Sequence, residues 1–144
     1  MENHCYQETE NKKRYLRRYR KHLLNIDRLE KKLRLLEDRI LSVRSSNFSG
    51  MPRGGTPITL DELLSDKIEL ENRITRLKKK GRVIKAEILD VIDSLEDTRY
   101  CVVLESYFID CLSIEEIADE TGYTPRHVYK LYSDAITFIS VNEQ

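Results

Sequence analysis

Arg126, His127, Tyr129, Lys130 and Ser133 crowd one short segment, at spacings that would turn a guanidinium, an imidazole, a phenol, an ammonium and a hydroxyl out of a single helix. Such donors, presented together, are the groups that reach base edges and phosphates in a duplex groove. Val128 and Leu131, interleaved with them, point the other way and give the segment a side to bury. Thr124 can cap this helix, and Pro125, with fixed φ and no donor, suits its first position. Upstream, Ser113 followed by Glu116 reads as a capping box that starts an earlier helix. Ile117 and Ala118 form the inner face of that helix, the small Ala118 allowing a close crossing, and Gly122 supplies the left-handed residue that ends it. Two short helices and a sharp turn must therefore position the donors.

That is the grammar of a helix-turn-helix, whose second helix enters the major groove. Leu112 to Ile136 resembles region 4 of bacterial sigma factors, because Leu112-Ser113-Ile114-Glu115-Glu116-Ile117-Ala118 follows the Leu-Thr-Leu-Glu-Glu-Ile-Ala pattern of that region. Thr98 to Cys111, with Val102, Val103, Leu104, Tyr107 and Phe108, is similar to the helix packed in front of that motif. The resemblance implies that helix 124–140 reads the major groove, with Arg126, His127 and Lys130 at base-contact positions and Thr124, Tyr129 and Ser133 completing the DNA-binding set. It also implies that RNA polymerase is a second partner, met by the face of Glu115, Glu116, Asp119 and Glu120; the plainer account of those carboxylates is that they favour the positive end of their helix. The chain departs from sigma factors in carrying Pro125 and Tyr129 where arginines are usual, and in ending Ile-Ser-Val-Asn-Glu-Gln rather than in a basic stretch. Over the C-terminal two-thirds, Met51-Pro-Arg-Gly-Gly-Thr-Pro57, a long charged helix and then this module resemble phage and prophage late transcription regulators of the RinA and ArpU type.

Ahead of the module lie two periodic segments. Tyr15, Tyr19, His22, Ile26, Leu29, Leu33, Leu36, Ile40 and Val43 recur at three and four, the seam of a coiled coil over about 12–44. Residues 45–58, rich in Gly, Pro and Ser, force a loop. Thr59 with Glu62 starts a second helix over about 59–96, Ile58 can staple onto Leu63, and Leu63, Leu70, Ile74, Leu77, Ile84, Ile88, Val91 and Leu95 form its stripe, interrupted by Lys67 and Gly81. The expected fold is all-α: a long antiparallel helical hairpin, a coiled coil of roughly 50 Å at ~1.5 Å per residue, over 1–96, then the sigma region 4-like bundle over 97–144. If Val43 lies opposite Thr59, Gly81 falls across from His22 and Tyr19 and makes room for a ring; the alternative is a glycine that only weakens its helix by ~1 kcal/mol.

Charge is segregated. Residues 1–44 carry 13 basic and 7 acidic side chains, net +6, whereas residues 97–144 carry 3 and 9, net −6. An acidic module lacks the phosphate attraction that dominates non-specific DNA affinity, so the arm is expected to supply it through Arg14, Arg17, Arg18, Lys21, Lys78, Lys79, Lys80 and Arg82, within a run that also holds Lys12, Lys13, Arg20 and Lys85. The alternatives are that this run is a solvated coiled-coil face, or that it docks on the acidic module.

With 144 residues, 35% of them charged and no Trp, the chain suits long amphipathic helices better than a thick core. No run approaches the ~18 apolar residues of a membrane span, and the polar start is no signal peptide, so a cytoplasmic protein is expected. Cys5, Cys101 and Cys111 lack metal-ligand spacing, and His4, His22 and His127 lie far apart with no acid or nucleophile at catalytic spacing. Neither an enzyme nor a cofactor or metal is implied. His22 reads as a packed seam residue; His127 as a base or phosphate donor or as an exposed residue without a role. The reading is a DNA-binding transcription regulator of phage or prophage type, forming a homodimer or higher homo-oligomer through the hairpin. Its rivals are a polymerase- or regulator-binding adaptor that makes no DNA contact, and a packaging component of the small-terminase kind.

Overall fold

The computed structural model describes residues 1–46 and 59–142, and every regular element among them is an α-helix. The elements are α1 (Glu2–Leu16), α2 (Arg18–Ser46), α3 (Leu60–Asp93), α4 (Thr98–Phe108), α5 (Ile114–Thr121) and α6 (Pro125–Phe138). No described helix is long and apolar enough to cross a membrane. α2 runs to Ser46, two residues into the expected 45–58 loop; the rest of that loop, with the Met51–Pro57 motif and the Ile58 staple, lies outside the described residues.

Helical structure starts at Glu2, well before the expected position near Lys12. The polar N-terminal residues support it with pairs one turn apart: Lys12 to Glu8 at 3.4 Å and Lys13 to Glu10 at 3.6 Å. Arg17 separates α1 from α2 with near-helical backbone (φ −74, ψ −7), and the ladder runs on through it, since Arg17 donates to the Lys13 carbonyl and Lys21 to the Arg17 carbonyl. The second long helix ends at Asp93, not 96. Ser94 folds its hydroxyl back onto the Val91 carbonyl at 2.6 Å and Asp97 caps the next helix through the Arg99 amide. The last helix ends at Phe138, not 140, because Ile139 turns to extended backbone (ψ 142) and buries its side chain at 1% exposure.

The chain forms two compact units, one of Met1–His22 with Gly81–Gln144, the other Leu23–Lys80. In the first unit one core joins distant stretches: Leu16 of α1 and Ile84, Ile88 and Ile92 of α3 pack with Val103, Leu104 and Phe108 of α4, Ile117 of α5 and Val128, Leu131, Tyr132, Ala135 and Ile136 of α6. Completely burying each aliphatic side chain of this kind is worth about 1.5–3 kcal/mol. Lys12 reinforces the docking of α1 by donating to the Thr137 carbonyl at 3.2 Å, near the end of α6 where carbonyls lack helical partners. Gly81 is buried against His22: a Cβ there would lie 3.0 Å from His22 Cδ2, so the glycine does make room for a ring.

In the second unit, Ile26 and Leu29 of α2 meet Ile74 of α3, flanked by partly buried Leu33, Leu70 and Leu77. These residues belong to the two stripes read from the periodicity. Lys78 bridges to Glu30 at 2.8 Å across the same pair of helices. Thr59 accepts from the Glu62 amide at 3.2 Å and so starts α3.

Candidate nucleic-acid interface

The candidate interface is built by three local devices. Ser113 stands before α5 with its hydroxyl accepting from the Glu116 amide at 3.2 Å; the same hydroxyl donates to Glu116 Oε1 at 3.2 Å, so the carboxylate closes the box on the hydroxyl. Gly122 ends α5 in the left-handed region, φ 79 and ψ 4, where an L side chain would be strained. Thr124 then accepts from the His127 amide at 3.2 Å and Pro125 opens α6. The turn between α5 and α6 is therefore specified residue by residue.

Burial fixes which way α6 faces. Val128 and Ala135 are completely buried, and Leu131, Tyr132 and Ile136 nearly so. Thr124, Arg126, Tyr129 and Lys130 are exposed on the opposite side, Tyr129 with 61% of its surface free. Arg126 and Lys130 stand one turn apart and so are neighbours on the surface. His127 and Ser133 are half-buried. His127 meets Tyr123 edge-on, ring centroids 4.9 Å apart, and is thus placed beside the turn rather than standing free.

A run of rings borders α6. Tyr132 lies 4.9 Å from Tyr107, 5.9 Å from Phe108 and 6.2 Å from Tyr129. Burial, reinforced by the neighbouring Tyr107, pushes the Tyr132 phenol up to about 12, and it remains a neutral donor at ordinary pH. At the other end Tyr100 stacks with Phe138 at 5.8 Å. The Arg99 guanidinium grips Asp97 at 2.8 Å, and that hydrogen bond holds the Asp97 carboxyl below its usual range.

The basic residues expected to contact phosphate separate into different environments. In the first unit Arg14, Arg17, Lys21 and Arg82 are exposed, whereas Arg18 is half-buried and bridged to Glu87 at 2.9 Å. In the second unit Lys78, Lys79 and Lys80 are exposed, Lys78 being the partner of Glu30. Both bridges are solvent-accessible and worth under ~1 kcal/mol. Two cations sit on rings instead: Arg20 lies 5.9 Å from the Tyr107 centroid and Lys85 6.0 Å from that of Tyr19. Reading the chain alone overlooked the Arg20–Tyr107 contact, because nothing local brings α2 beside α4.

Among the described residues no group of His, Cys, Asp and Glu could hold a metal ion. The arrangement is a core-backed helix with an outward cationic and aromatic face. No family model, curated protein or solved structure matches the chain.

Proposed function

We propose that this protein is a DNA-binding transcription regulator of phage or prophage type, in which α4–α6 form a sigma region 4-like helix-turn-helix and α6 reads the major groove. The observation that carries the reading is the two-sidedness of α6: one face sealed in the core, the other presenting Arg126, Tyr129 and Lys130 to solvent directly after a turn built by Gly122, Thr124 and Pro125. A recognition helix requires this combination, because base contacts discriminate only if the backbone carrying them is held still. Arg126, exposed in the first turn of α6, is the residue that donates to guanine O6 and N7 in this reading, a contact worth about 1–3 kcal/mol of discrimination. Tyr129 offers an apolar ring for a thymine methyl, and Lys130 a point charge. Cations of the N-terminal helices supply the phosphate attraction that residues 97–144, at net −6, lack. The two long helices pair antiparallel as a hairpin, through which chains associate in the cytoplasm so that two copies of α6 span successive half-sites.

One observation favours a second reading, a polymerase-binding adaptor: Glu115, Glu116, Asp119 and Glu120 are all exposed on α5, an acidic face suited to a basic protein surface. A packaging component would instead assemble as a large ring.

The test is selection of duplexes from a random pool by the full-length protein, with assembly mass measured in parallel. The expected result is an enriched motif bound by a dimer, weakened by Arg126→Ala and Lys130→Ala. No enrichment, with or without RNA polymerase, overturns the proposal; enrichment only with polymerase supports the adaptor, and a ring of many subunits supports packaging.

A further inference from the structure

We infer that Arg17 and Arg20 are the phosphate-binding side chains of the unit that carries α6, gripping the one DNA strand that passes the Tyr129 edge of that helix. The inference rests on the groove-reading role proposed for α6 and selects, from a long basic run, the residues that accompany it.

The first support is contiguity. The Arg20 guanidinium lies on the Tyr107 ring, Tyr107 touches Tyr132, and Tyr132 touches the exposed Tyr129. A chain of ring contacts, running through the buried Tyr132, thus links the arm to the exposed Tyr129 edge of α6. Arg17, one turn before Arg20 and also exposed, is close enough for its charge to act on the Tyr132 phenol.

The second is direction. At about 100° per residue, Arg20 and Arg17 follow the buried Leu16 by about 40° and 100° on one side of the arm, the side that meets α4 and α6. Arg18 falls on the other side, where it bridges to Glu87 of α3. Lys12 and Lys13 are partnered by Glu8 and Glu10. Among the described residues Arg17 and Arg20 have no carboxylate within bridging distance, so neither must break an ion pair to bind a phosphate.

The third is chemistry. Arginine forks onto phosphate oxygens and can keep an aromatic contact while doing so, and the Tyr107 ring lies 5.9 Å from the Arg20 guanidinium carbon. The opposite edge of α6 carries Asp134, repelling the second strand there. Phosphate contact is therefore one-sided and gives α6 a fixed polarity in the groove.

The test is anisotropy of a short labelled duplex across a salt series. Arg17→Gln with Arg20→Gln should lower the slope of log affinity against log salt by about 2, since each released phosphate contact contributes roughly 0.9. Arg17→Gln alone, at an exposed position, should lower it by about 1. Arg17→Lys with Arg20→Lys should keep the slope; circular dichroism confirms that each variant is helical. Binding by the unsubstituted protein with an unaltered slope in the glutamine variants overturns this assignment and leaves the role of α6 standing. No duplex binding by the unsubstituted protein at low salt overturns both.

Discussion

The two compact units use the same residue types to different ends. In the first, side chains from α1, α3, α4, α5 and α6 converge on one core, with Leu16, Ile88, Ile92, Val103, Leu104 and Ile117 completely buried. In the second, the buried cluster is the seam of Ile26, Leu29 and Ile74 with three partly buried leucines around it. A seam between two helices can relax around a lost side chain, whereas a core enclosed by five helices cannot, so truncation leaves a cavity. The contrast teaches where an outward-facing polar face can be held in place: α6 can leave Arg126, Tyr129 and Lys130 in solvent because its other face is locked from several directions.

The sharpest way to break this comparison is to truncate one leucine in each unit. Leu16→Ala should cost near the top of the roughly 2–5 kcal/mol range for a buried leucine, and Leu29→Ala near the bottom, measured by urea denaturation of the full chain. Equal costs would mean that the seam is as rigid as the core. Gly81→Ala comes next. Alanine gains about 1 kcal/mol of helix propensity, but its Cβ would sit 3.0 Å from His22 Cδ2 and 3.3 Å from Nε2. Overpacking costs ~1–3 kcal/mol, so a net loss of about 1 kcal/mol is expected, and adding His22→Ala should recover part of it. A stabilised Gly81→Ala would show that the ring simply swings aside. Thr124→Ala removes the cap of α6 and should cost about 1 kcal/mol, visible as a lower melting temperature. The smallest effect is a gain. Cys111 holds φ 59, a left-handed conformation that costs a side-chain-bearing residue about 1–2 kcal/mol, so Cys111→Gly should stabilise by about 0.5 kcal/mol after glycine's greater unfolded-state entropy is set against it. A loss would mean that the weak thiol contact to the Ile109 carbonyl, at 3.7 Å, matters more than the backbone.

Much of the candidate site was legible because its devices are local. Ser113, Gly122, Thr124 and Pro125 act on groups within a few residues of themselves, as their side-chain chemistry requires. The stripes of α2 and α3 were equally readable, since a helical period needs no partner to be visible, although Ile92, completely buried, fell outside the stripe. The Asp97 cap and the left-handed Cys111 were missed: aspartate is common in many settings, and cysteine is not the residue that position ordinarily takes.

From its sequence alone this chain was committed to helices, to the turn before α6 and to the donors on that helix, because capping, periodicity and left-handed glycine are decided over distances of one to four residues. Only the tertiary structure decided that α1 belongs to the core beneath α6, that Arg18 is held by Glu87 while Arg20 rests on Tyr107, and that Lys12 reaches Thr137 across a separation of 125 residues. Those contacts depend on burying many apolar side chains at once, and no stretch of sequence holds that sum by itself.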